Sequence, residues 1–338
     1  MNLDSMGVEK ALTLFPNQIK EAWKQAYSFE IPRFSPKSLV VSGMGGSSNA
    51  AKILQGLYES ELKIPFEVHN DYGLPGWVNT DTLVVANSYS GNTEETLSSI
   101  DAAKKAGAKI LGVATGGKIV EMIKSGEIYG AIITLGDTNP TGFPKTGLGV
   151  SFGGLAGLLS KAGILLLKEA EVNSALSELV QIKHGWNVKE IAEWLHGTLP
   201  VIFGGRPFIG SLNAGRNAMC EISRNFTQFY DFPEVNHVLI EAMQKPDLAK
   251  NIKYLFFESA FNSERVKIRY KITKEILDSQ ELSHKTYELK GKTKLTQALE
   301  IPHYCAWIGF YISMLDGNDP GPEPWIIELK NKLSQPVH

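Results

Sequence analysis

Three hydroxyl side chains surround a single glycine in the segment from Ser88 to Thr93, directly after an apolar run. The run from Leu83 to Asn87 is typical of a buried strand in a parallel sheet, and Gly91 allows the chain to turn tightly. The hydroxyls of Ser88, Ser90 and Thr93, with the free amides of the next helix, are donors that suit a phosphate. For any one of these serines, plain helix capping is the alternative interpretation.

The helix after this turn is predicted over residues 93–106. Asn92 is expected to cap it, Glu95 to complete a capping box, and Gly107 to end it. This helix would place its positive end beside the three hydroxyls.

A second glycine-rich turn follows the apolar run Leu39 to Val41 and leads into a helix predicted to reach Tyr58. Its Gly45, Gly46 and Ser47 are further candidates for binding a phosphate or a sugar. The turn lacks the third glycine of a dinucleotide-binding fingerprint and the Lys-Ser or Lys-Thr pair of a P-loop. Because ligands collect beyond the carboxyl ends of parallel strands, the two turns are expected to face one ligand.

The second half of the chain supplies the candidate acid and base. Glu221 lies among apolar residues of a helix predicted from 213 to about 225, where partial burial would raise the pKa of its carboxyl group toward that of a useful general base. His237 follows a proline at an element boundary and has an ordinary pKa near neutral pH. The alternatives are that Glu221 pairs with Arg216 or Arg224 on its own helix, and that His237 caps the helix after it.

Two lysines complete the candidates. Lys145 lies in a broad loop rich in proline and glycine that precedes an apolar helix predicted over 151–168. Lys330 lies in the final helix, where pattern alone favours a solvated surface residue.

The composition is that of a globular protein with room for two domains. The chain has 338 residues, of which 43% are hydrophobic and 21% charged, with a net charge of -2, so a general nucleic-acid-binding surface is not expected. Cys220, Cys305 and the histidines form no disulfide framework or metal-ligand pattern, so we expect no metal and no cofactor. No signal peptide or membrane span is evident, and a cytoplasmic protein is expected.

Alternating strand and helix patterns predict an α/β fold with two parallel, three-layer αβα domains. The run from Leu199 to Gly205 resembles the run from Leu39 to Gly46, and the run from Tyr254 to Ser259 resembles that from Leu83 to Ser88, so we expect an internal duplication. The expected segments are an N-terminal helical segment (1–35), a phosphate-binding domain (36–168), a helical connector (169–197) and a second domain with the acid and base (198–338).

Taken together, these motifs resemble the bifunctional phosphoglucose/phosphomannose isomerase family, which has two sugar isomerase (SIS) domains. The resemblance spans nearly the whole chain and rests on the two turns, on Glu221 followed by the run Pro233 to His237, and on Asp319-Pro320 ahead of Leu329-Lys330. It implies that Glu221 moves the proton and that His237 and Lys330 assist ring opening. It also implies a homodimer in which each active site takes its histidine from the other subunit. The implied sugar-phosphate ligands are Gly45, Gly46, Ser47, Ser88, Ser90 and Thr93.

One departure concerns the loop: the family has an arginine after the proline, whereas this chain has Pro144-Lys145, so a point charge replaces a flat guanidinium. Lys145 is retained as a candidate for substrate binding. The implied activity is isomerisation of glucose 6-phosphate or mannose 6-phosphate to fructose 6-phosphate through an enediol. A non-catalytic sugar-phosphate sensor and another phosphosugar or aminosugar isomerase remain the alternatives.

Overall fold

The computed structural model describes residues 3–244 and 249–333 and contains two parallel sheets with helices around them. The strands of the first sheet are β1 (Ser38–Ser42), β2 (Phe66–His69), β3 (Thr82–Ser88), β4 (Lys109–Ala114) and β5 (Tyr129–Ile132). Their spatial order is β2-β1-β3-β4-β5. The strands of the second sheet are β6 (Leu199–Gly205), β7 (Gln228–Phe232), β8 (Ile252–Glu258) and β9 (His284–Glu288), in the order β7-β6-β8-β9.

Eight helices precede the second sheet and five follow its first strand in the described parts of the chain. The first group is α1 (Val8–Thr13), α2 (Phe15–Ser28), α3 (Gly45–Tyr58), α4 (Glu94–Ala106), α5 (Gly117–Lys124), α6 (Leu148–Lys161), α7 (Glu169–Lys183) and α8 (Val188–Leu195). The second group is α9 (Ile209–Ser223), α10 (Val235–Val238), α11 (Glu264–Ser279), α12 (Lys294–Leu315) and α13 (Pro324–Leu333). Short 3₁₀ helices lie at Pro144–Thr146 and Leu239–Gln244.

The expected duplication is visible in the sheet topology. In each half the first strand pairs on one side with the second strand and on the other with the third, and the fourth follows the third. β1 and β3 of the first sheet thus correspond to β6 and β8 of the second. The first sheet has one further strand, β5, beyond this common order.

Each sheet lies between two layers of helices. Successive side chains along a strand point to opposite faces, and both faces are covered. In the first sheet, Leu83 and Val85 contact the cluster that contains α2, α3 and α6, while Val84 and Ala86 face α4 and α5. In the second sheet, Leu255 faces the same large cluster, together with α9 and α12, and the opposite face is covered by α11. One continuous core therefore lies between the two sheets.

Most of the predicted elements are present, with shifted ends. The helix expected at 151–168 is α6, which begins at Leu148 and ends at Lys161, and the helix expected from 213 is α9, which begins at Ile209. Gly107 does end α4, with a φ of 68°.

The predicted capping of α4 by Asn92 is wrong. Thr93 is the N-cap residue, and no side chain caps this helix end. The Asn92 side chain instead accepts a hydrogen bond of 3.0 Å from the backbone N–H of Lys118, in the first turn of α5. Its oxygen satisfies a free amide of a neighbouring helix, which a pattern within one segment does not reveal.

Within the described ranges, no helix has the length and apolar character needed to cross a lipid bilayer.

Candidate active site

The Ser88 to Thr93 turn is a compact group of hydroxyls at the carboxyl end of β3. A 2.9 Å hydrogen bond joins the hydroxyls of Ser88 and Thr93, and Ser88 Oγ also accepts from the Gly91 amide at 3.0 Å. Ser90 Oγ accepts from the Asn92 amide at 3.3 Å, and its side chain is exposed. Gly91 adopts a φ of 72°, which glycine reaches without strain. Buried and exposed hydroxyls thus lie together at the start of α4.

The start of α3 lies directly against this turn. Ser47 Oγ accepts a hydrogen bond of 3.1 Å from the Tyr89 amide, and Asn87 Nδ2 donates to the Ser47 carbonyl at 2.9 Å. Gly45 is exposed and Gly46 is half-exposed, and both lie in the first turn of α3, where amides have no partner within the helix. The two turns therefore present free amides and hydroxyls to one surface, an arrangement that favours an anion.

A hydrogen-bonded loop connects this surface to Lys145. Asn139 Nδ2 donates to Tyr89 Oη at 2.7 Å and to the Phe143 carbonyl at 2.9 Å. Its Oδ1 accepts from the hydroxyl of Thr146 at 2.8 Å. A Cβ added to Gly46 would lie 3.5 Å from the carbonyl oxygen of Pro144. The 3₁₀ turn that contains Lys145 is consequently fixed beside the start of α3.

Lys145 does not point into open solvent. Its Nζ donates to the Pro320 carbonyl at 2.8 Å and lies 3.7 Å from Glu323 Oε1. Burial lowers the pKa of Lys145, while the nearby carboxylates of Glu323 and Glu221 act to raise it. The lysine thus joins the first half of the chain to two carboxylates of the second half.

Helices α3 and α9 pack antiparallel, and this packing determines where Glu221 lies. A Cβ on Gly56 would meet the Pro207 carbonyl, and a Cβ on Gly210 would meet the Lys52 carbonyl, so the backbones touch at the end of α3 and the start of α9. Further along, Asn213 Nδ2 donates to Asn49 Oδ1 at 2.6 Å.

Asn217, one turn later on α9, also donates to Asn49 Oδ1, at 3.3 Å. Glu221 is one more turn along, about 6 Å further on the same face of the helix. Because Asn49 already lies near the start of α3, Glu221 falls at that start, beside the glycine-rich turn. This position agrees with the electrostatic contact between Glu221 and Lys145.

The surroundings of Glu221 match those of a general base. Burial raises the pKa of Glu221 to about 7, the negative charge of Glu323 adds to this, and Lys145 and Arg216 oppose it. Across the described residues, neither Arg216 nor Arg224 forms the ion pair with Glu221 that the sequence offers as an alternative. Arg216 donates to Asn213 Oδ1 at 2.9 Å, and Arg224 donates to carbonyl groups. A carboxyl group that titrates near neutral pH can both accept and return a proton.

His237 lies at the other end of α9. It follows β7, whose last residue, Phe232, is paired with Gly205 just before α9 begins. Glu221 is twelve residues beyond Ile209, about 18 Å along the helix axis. Phe232 and Pro233 line a cavity with Leu57 at the far end of α3. Within one chain, the structure therefore does not bring His237 to Glu221 or to the hydroxyl turn; His237 is an exposed residue of α10.

Lys330 lies on α13, all of whose described side chains are exposed. Trp325 is 78% exposed and Leu329 57% exposed on the same helix. Neither Lys330 nor this helix closes over the site within the chain. An exposed helix with large apolar side chains is typical of a surface that another protein covers.

Two residues of the site were missed from the sequence. Asn139 connects Tyr89 to the Lys145 loop, and Glu323 lies within ion-pair distance of Lys145. An asparagine in a loop and a glutamate between two prolines are both ordinary surface patterns, so nothing local pointed to them. Across residues 3–244 and 249–333, no group of three or more metal-ligating side chains is close enough to hold an ion.

Two family models match the chain: residues 34–120 match the SIS domain, and residues 187–333 match the bacterial phospho-glucose isomerase C-terminal SIS domain. The chain is 30% identical to the bifunctional phosphoglucose/phosphomannose isomerase of Caldicellulosiruptor bescii, over 95% of this chain and 97% of the relative. It is 31% identical to the protein of the same name from Aquifex aeolicus, over 88% and 91%. The crystal structure of tagatose-6-phosphate ketose/aldose isomerase from Escherichia coli has the same fold, with a TM-score of 0.66 at 12% identity over 85% and 86% of the two chains. On this similarity, and with both SIS domains present, the chain belongs to the bifunctional phosphoglucose/phosphomannose isomerase family.

Proposed function

We propose that this protein interconverts glucose 6-phosphate, mannose 6-phosphate or both with fructose 6-phosphate by proton transfer through a cis-enediol. One observation carries the proposal. Glu221 of α9, whose carboxyl group has a pKa of about 7, lies beside the start of α3, the helix that follows the glycine-rich turn. The names of the relatives in Caldicellulosiruptor bescii and Aquifex aeolicus support the same substrates.

The phosphate binds at the two turns of the first sheet in this proposal. Its oxygens accept hydrogen bonds from the amides of Gly45 and Gly46 and from hydroxyl groups, without a cation of the P-loop type. The hydroxyl donors are those of Ser47, Ser88, Ser90 and Thr93.

Glu221 performs the chemistry. Its carboxylate takes the proton from C2 of the open-chain aldose, which leaves a planar enediol, and the protonated carboxyl group returns the proton to C1 while a proton passes from O2 to O1. Glucose 6-phosphate and mannose 6-phosphate differ only at C2, so both give the same planar carbon. The Lys145 ammonium, next to Glu221, stabilises negative charge on the enediol oxygens.

His237 and Lys330 assist ring opening, with His237 supplied by the partner subunit of a homodimer. This part of the proposal is supported by the separation of about 18 Å along α9 that keeps His237 from the Glu221 of its own chain. It is also supported by the exposed apolar side chains next to both residues, Val238 at 61% and Leu329 at 57% exposed, which a partner subunit would cover.

We further propose the segment boundaries 1–35, 36–168, 169–197 and 198–338 for the helical segment, first SIS domain, connector and second SIS domain; residues 1–2, 245–248 and 334–338 lie outside the described residues. A cytoplasmic location and a place in glycolysis or gluconeogenesis follow from the proposed substrates.

The test is a coupled assay for fructose 6-phosphate with wild type and Glu221→Ala. General base catalysis contributes about 10²- to 10⁴-fold, so the variant should lose that much kcat while it still binds the sugar phosphate. Full turnover in the variant would remove Glu221 from the mechanism. Sugar-phosphate binding without turnover by the wild type would identify a sensor, and turnover of other phosphosugars alone would identify another isomerase.

A further inference from the structure

The turn after α12, residues 316–323, spans the two halves of the chain beside Glu221. Lys145 Nζ donates to the Pro320 carbonyl at 2.8 Å, from the first half. Arg224 Nη2, from the end of α9, donates to the carbonyls of Asp319 at 3.0 Å and Pro322 at 3.1 Å. Within the turn, the Gly321 amide donates to Asp319 Oδ1 at 2.8 Å. These bonds hold the turn, and with it Glu323, in a fixed place.

Glu323 is the largely buried counter-charge of the buried Lys145. The two side chains are 10% and 1% exposed, and 3.7 Å separates Glu323 Oε1 from Lys145 Nζ. A buried ammonium is costly unless a carboxylate and hydrogen bonds accompany it. Here the Pro320 carbonyl and the Glu323 carboxylate fill both roles, so the position of Lys145 depends on this turn.

We propose that Glu323 is a positioning residue, which holds the Lys145 ammonium beside Glu221 and sets the balance of charge around the general base. The proposal rests on the proposed function of Glu221 and deepens it. Glu323 itself touches no reacting atom in this proposal; it acts through Lys145 and through its own field.

Four charged groups determine whether a substitution at Glu323 or Lys145 raises or lowers the pKa of Glu221. Glu221 is faced by Glu323 from the turn, by Lys145 from the 3₁₀ helix and by Arg216 from its own helix, while Arg224 acts on Lys145. Removal of the Glu323 charge takes away a negative neighbour and leaves the charge of Lys145 uncompensated. Both changes lower the pKa of Glu221 from about 7. Removal of the Lys145 charge has the opposite effect.

The first experiment is the pH profile of kcat/KM for wild type, Glu323→Gln and Lys145→Met. Activity rises as Glu221 ionises, so the acid limb should move to lower pH in Glu323→Gln and to higher pH in Lys145→Met, each by roughly half to one pH unit. Glu190→Gln is the matched control, because Glu190 forms an exposed 2.6 Å pair with Lys285 away from the site, and its profile should equal that of wild type.

A purely structural role for Glu323 makes a different prediction. Glu323→Gln would then lose activity equally at every pH, with the acid limb unmoved, and this result would overturn the proposal. Glu323→Asp keeps the charge, so its acid limb should return toward that of wild type. If Glu323→Gln does not fold, Lys145→Met and Glu323→Asp still test the proposal. Without Lys145 the charge of Glu323 is uncompensated, so the acid limb of Lys145→Met must lie at higher pH than that of Glu323→Asp. Equal acid limbs in these two variants would overturn the proposal.

The second experiment needs no substrate. ¹³C NMR titration of the glutamate carboxyl groups in the unliganded protein, with the Glu221 signal assigned by its loss in Glu221→Gln, measures the pKa of Glu221 directly. A lower value in Glu323→Gln together with no hexose phosphate turnover in wild type would support the charge coupling and refute the proposed function. An unchanged value would refute the coupling, whatever the enzyme acts on.

Discussion

At the scale of single residues, the candidate site combines a hydroxyl-rich turn that is local in sequence with a carboxyl group, that of Glu221, whose properties come from distant contacts. The hydroxyl groups of Ser88, Ser90 and Thr93 form hydrogen bonds within one segment of six residues. The pKa of Glu221 is instead raised chiefly by burial, and it depends further on the charges of Glu323 and Lys145, which lie far from it along the chain. Substitution of Glu221 should therefore change how stability depends on pH, whereas substitution in the turn should change KM.

Glu221→Gln is expected to stabilise the protein as the pH rises. The folded-state pKa of about 7 lies above the ordinary value of 4.5, so the protonated form favours folding below pH 4.5 and this contribution is lost as pH rises through 7. Glutamine imitates the protonated form at every pH. Its advantage over wild type should grow from about 1 kcal/mol at pH 5.5 to about 3 kcal/mol at pH 8. Urea unfolding at the two pH values measures it, and an equal effect at both would contradict the raised pKa.

Ser88→Ala should weaken binding of the phosphate. It removes the acceptor for the Gly91 amide and the partner of Thr93, as well as one donor to the anion. A hydrogen bond to a charged group contributes about 1.5–3 kcal/mol, so KM should rise by roughly tenfold or more, with a smaller change in kcat. Ser125→Ala is the control, because that exposed hydroxyl donates to the nearby Met122 carbonyl, away from the turn. A KM that is unchanged in Ser88→Ala would exclude this turn from substrate binding.

The same difference separates the site residues that could be predicted from the sequence from those that could not: the first have local contacts, and the second have distant ones. The hydroxyl turn could be predicted because its chemistry lies in one short segment. Glu323 could not, because its partner Lys145 is contacted only in the folded chain. The assignment of Asn92 failed for the same reason: the side chain has the right chemistry for a cap but satisfies Lys118 of another helix.

At the scale of elements, strands were predicted more accurately than helix ends. The strands β1 and β3 are buried on both faces, so each appears in the sequence as a continuous apolar run that is recognisable as a strand. Neither α6 nor α9 has a side-chain cap at its start, so no capping residue marked Leu148 or Ile209 as the first residue of a helix. Packing, rather than local signals, fixes these ends.

The turn between β3 and α4 requires glycine at position 91. A Cβ there would lie 1.8 Å from the Gly116 carbonyl oxygen, in addition to the strain of a φ of 72°. Gly91→Ala should therefore cost about 3 kcal/mol or more and raise KM, as the turn must rearrange. Gly126 has a φ of 77° with no atom within 4 Å of an added Cβ, so Gly126→Ala should cost only about 1 kcal/mol and leave KM unchanged. Thermal unfolding and KM for both variants test this; similar losses would show that backbone strain alone decides.

At the scale of the whole molecule, the antiparallel packing of α3 on α9 determines which candidate residues lie together and which lie apart. It brings Glu221 to the two turns proposed to bind the phosphate and leaves His237 at the far end of the same helix pair. The sequence predicted both domains but not this packing, since the close contacts at Gly56 and Gly210 depend on the shapes of two helices far apart in the chain. If both residues act on one substrate, they must come from different subunits.

Complementation between two inactive variants tests this division. Glu221→Gln and His237→Gln homodimers each lack one group at both sites, so each should be nearly inactive. Equal mixing with subunit exchange makes half of the molecules heterodimers, and one of the two sites in a heterodimer then contains both native groups. Activity should therefore return to about a quarter of the wild-type level, as expected for an isologous dimer with shared sites.

The control for complementation is a mixture of wild type with the double variant Glu221→Gln/His237→Gln. Every site of such a heterodimer lacks either the base or the histidine, so activity should fall to about a quarter of wild type rather than to half. Native mass spectrometry verifies that heterodimers form in both mixtures. Heterodimers without recovered activity in the first mixture would show that His237 does not act across the interface. Recovery there, with loss in the control, requires that each site takes Glu221 from one chain and His237 from the other.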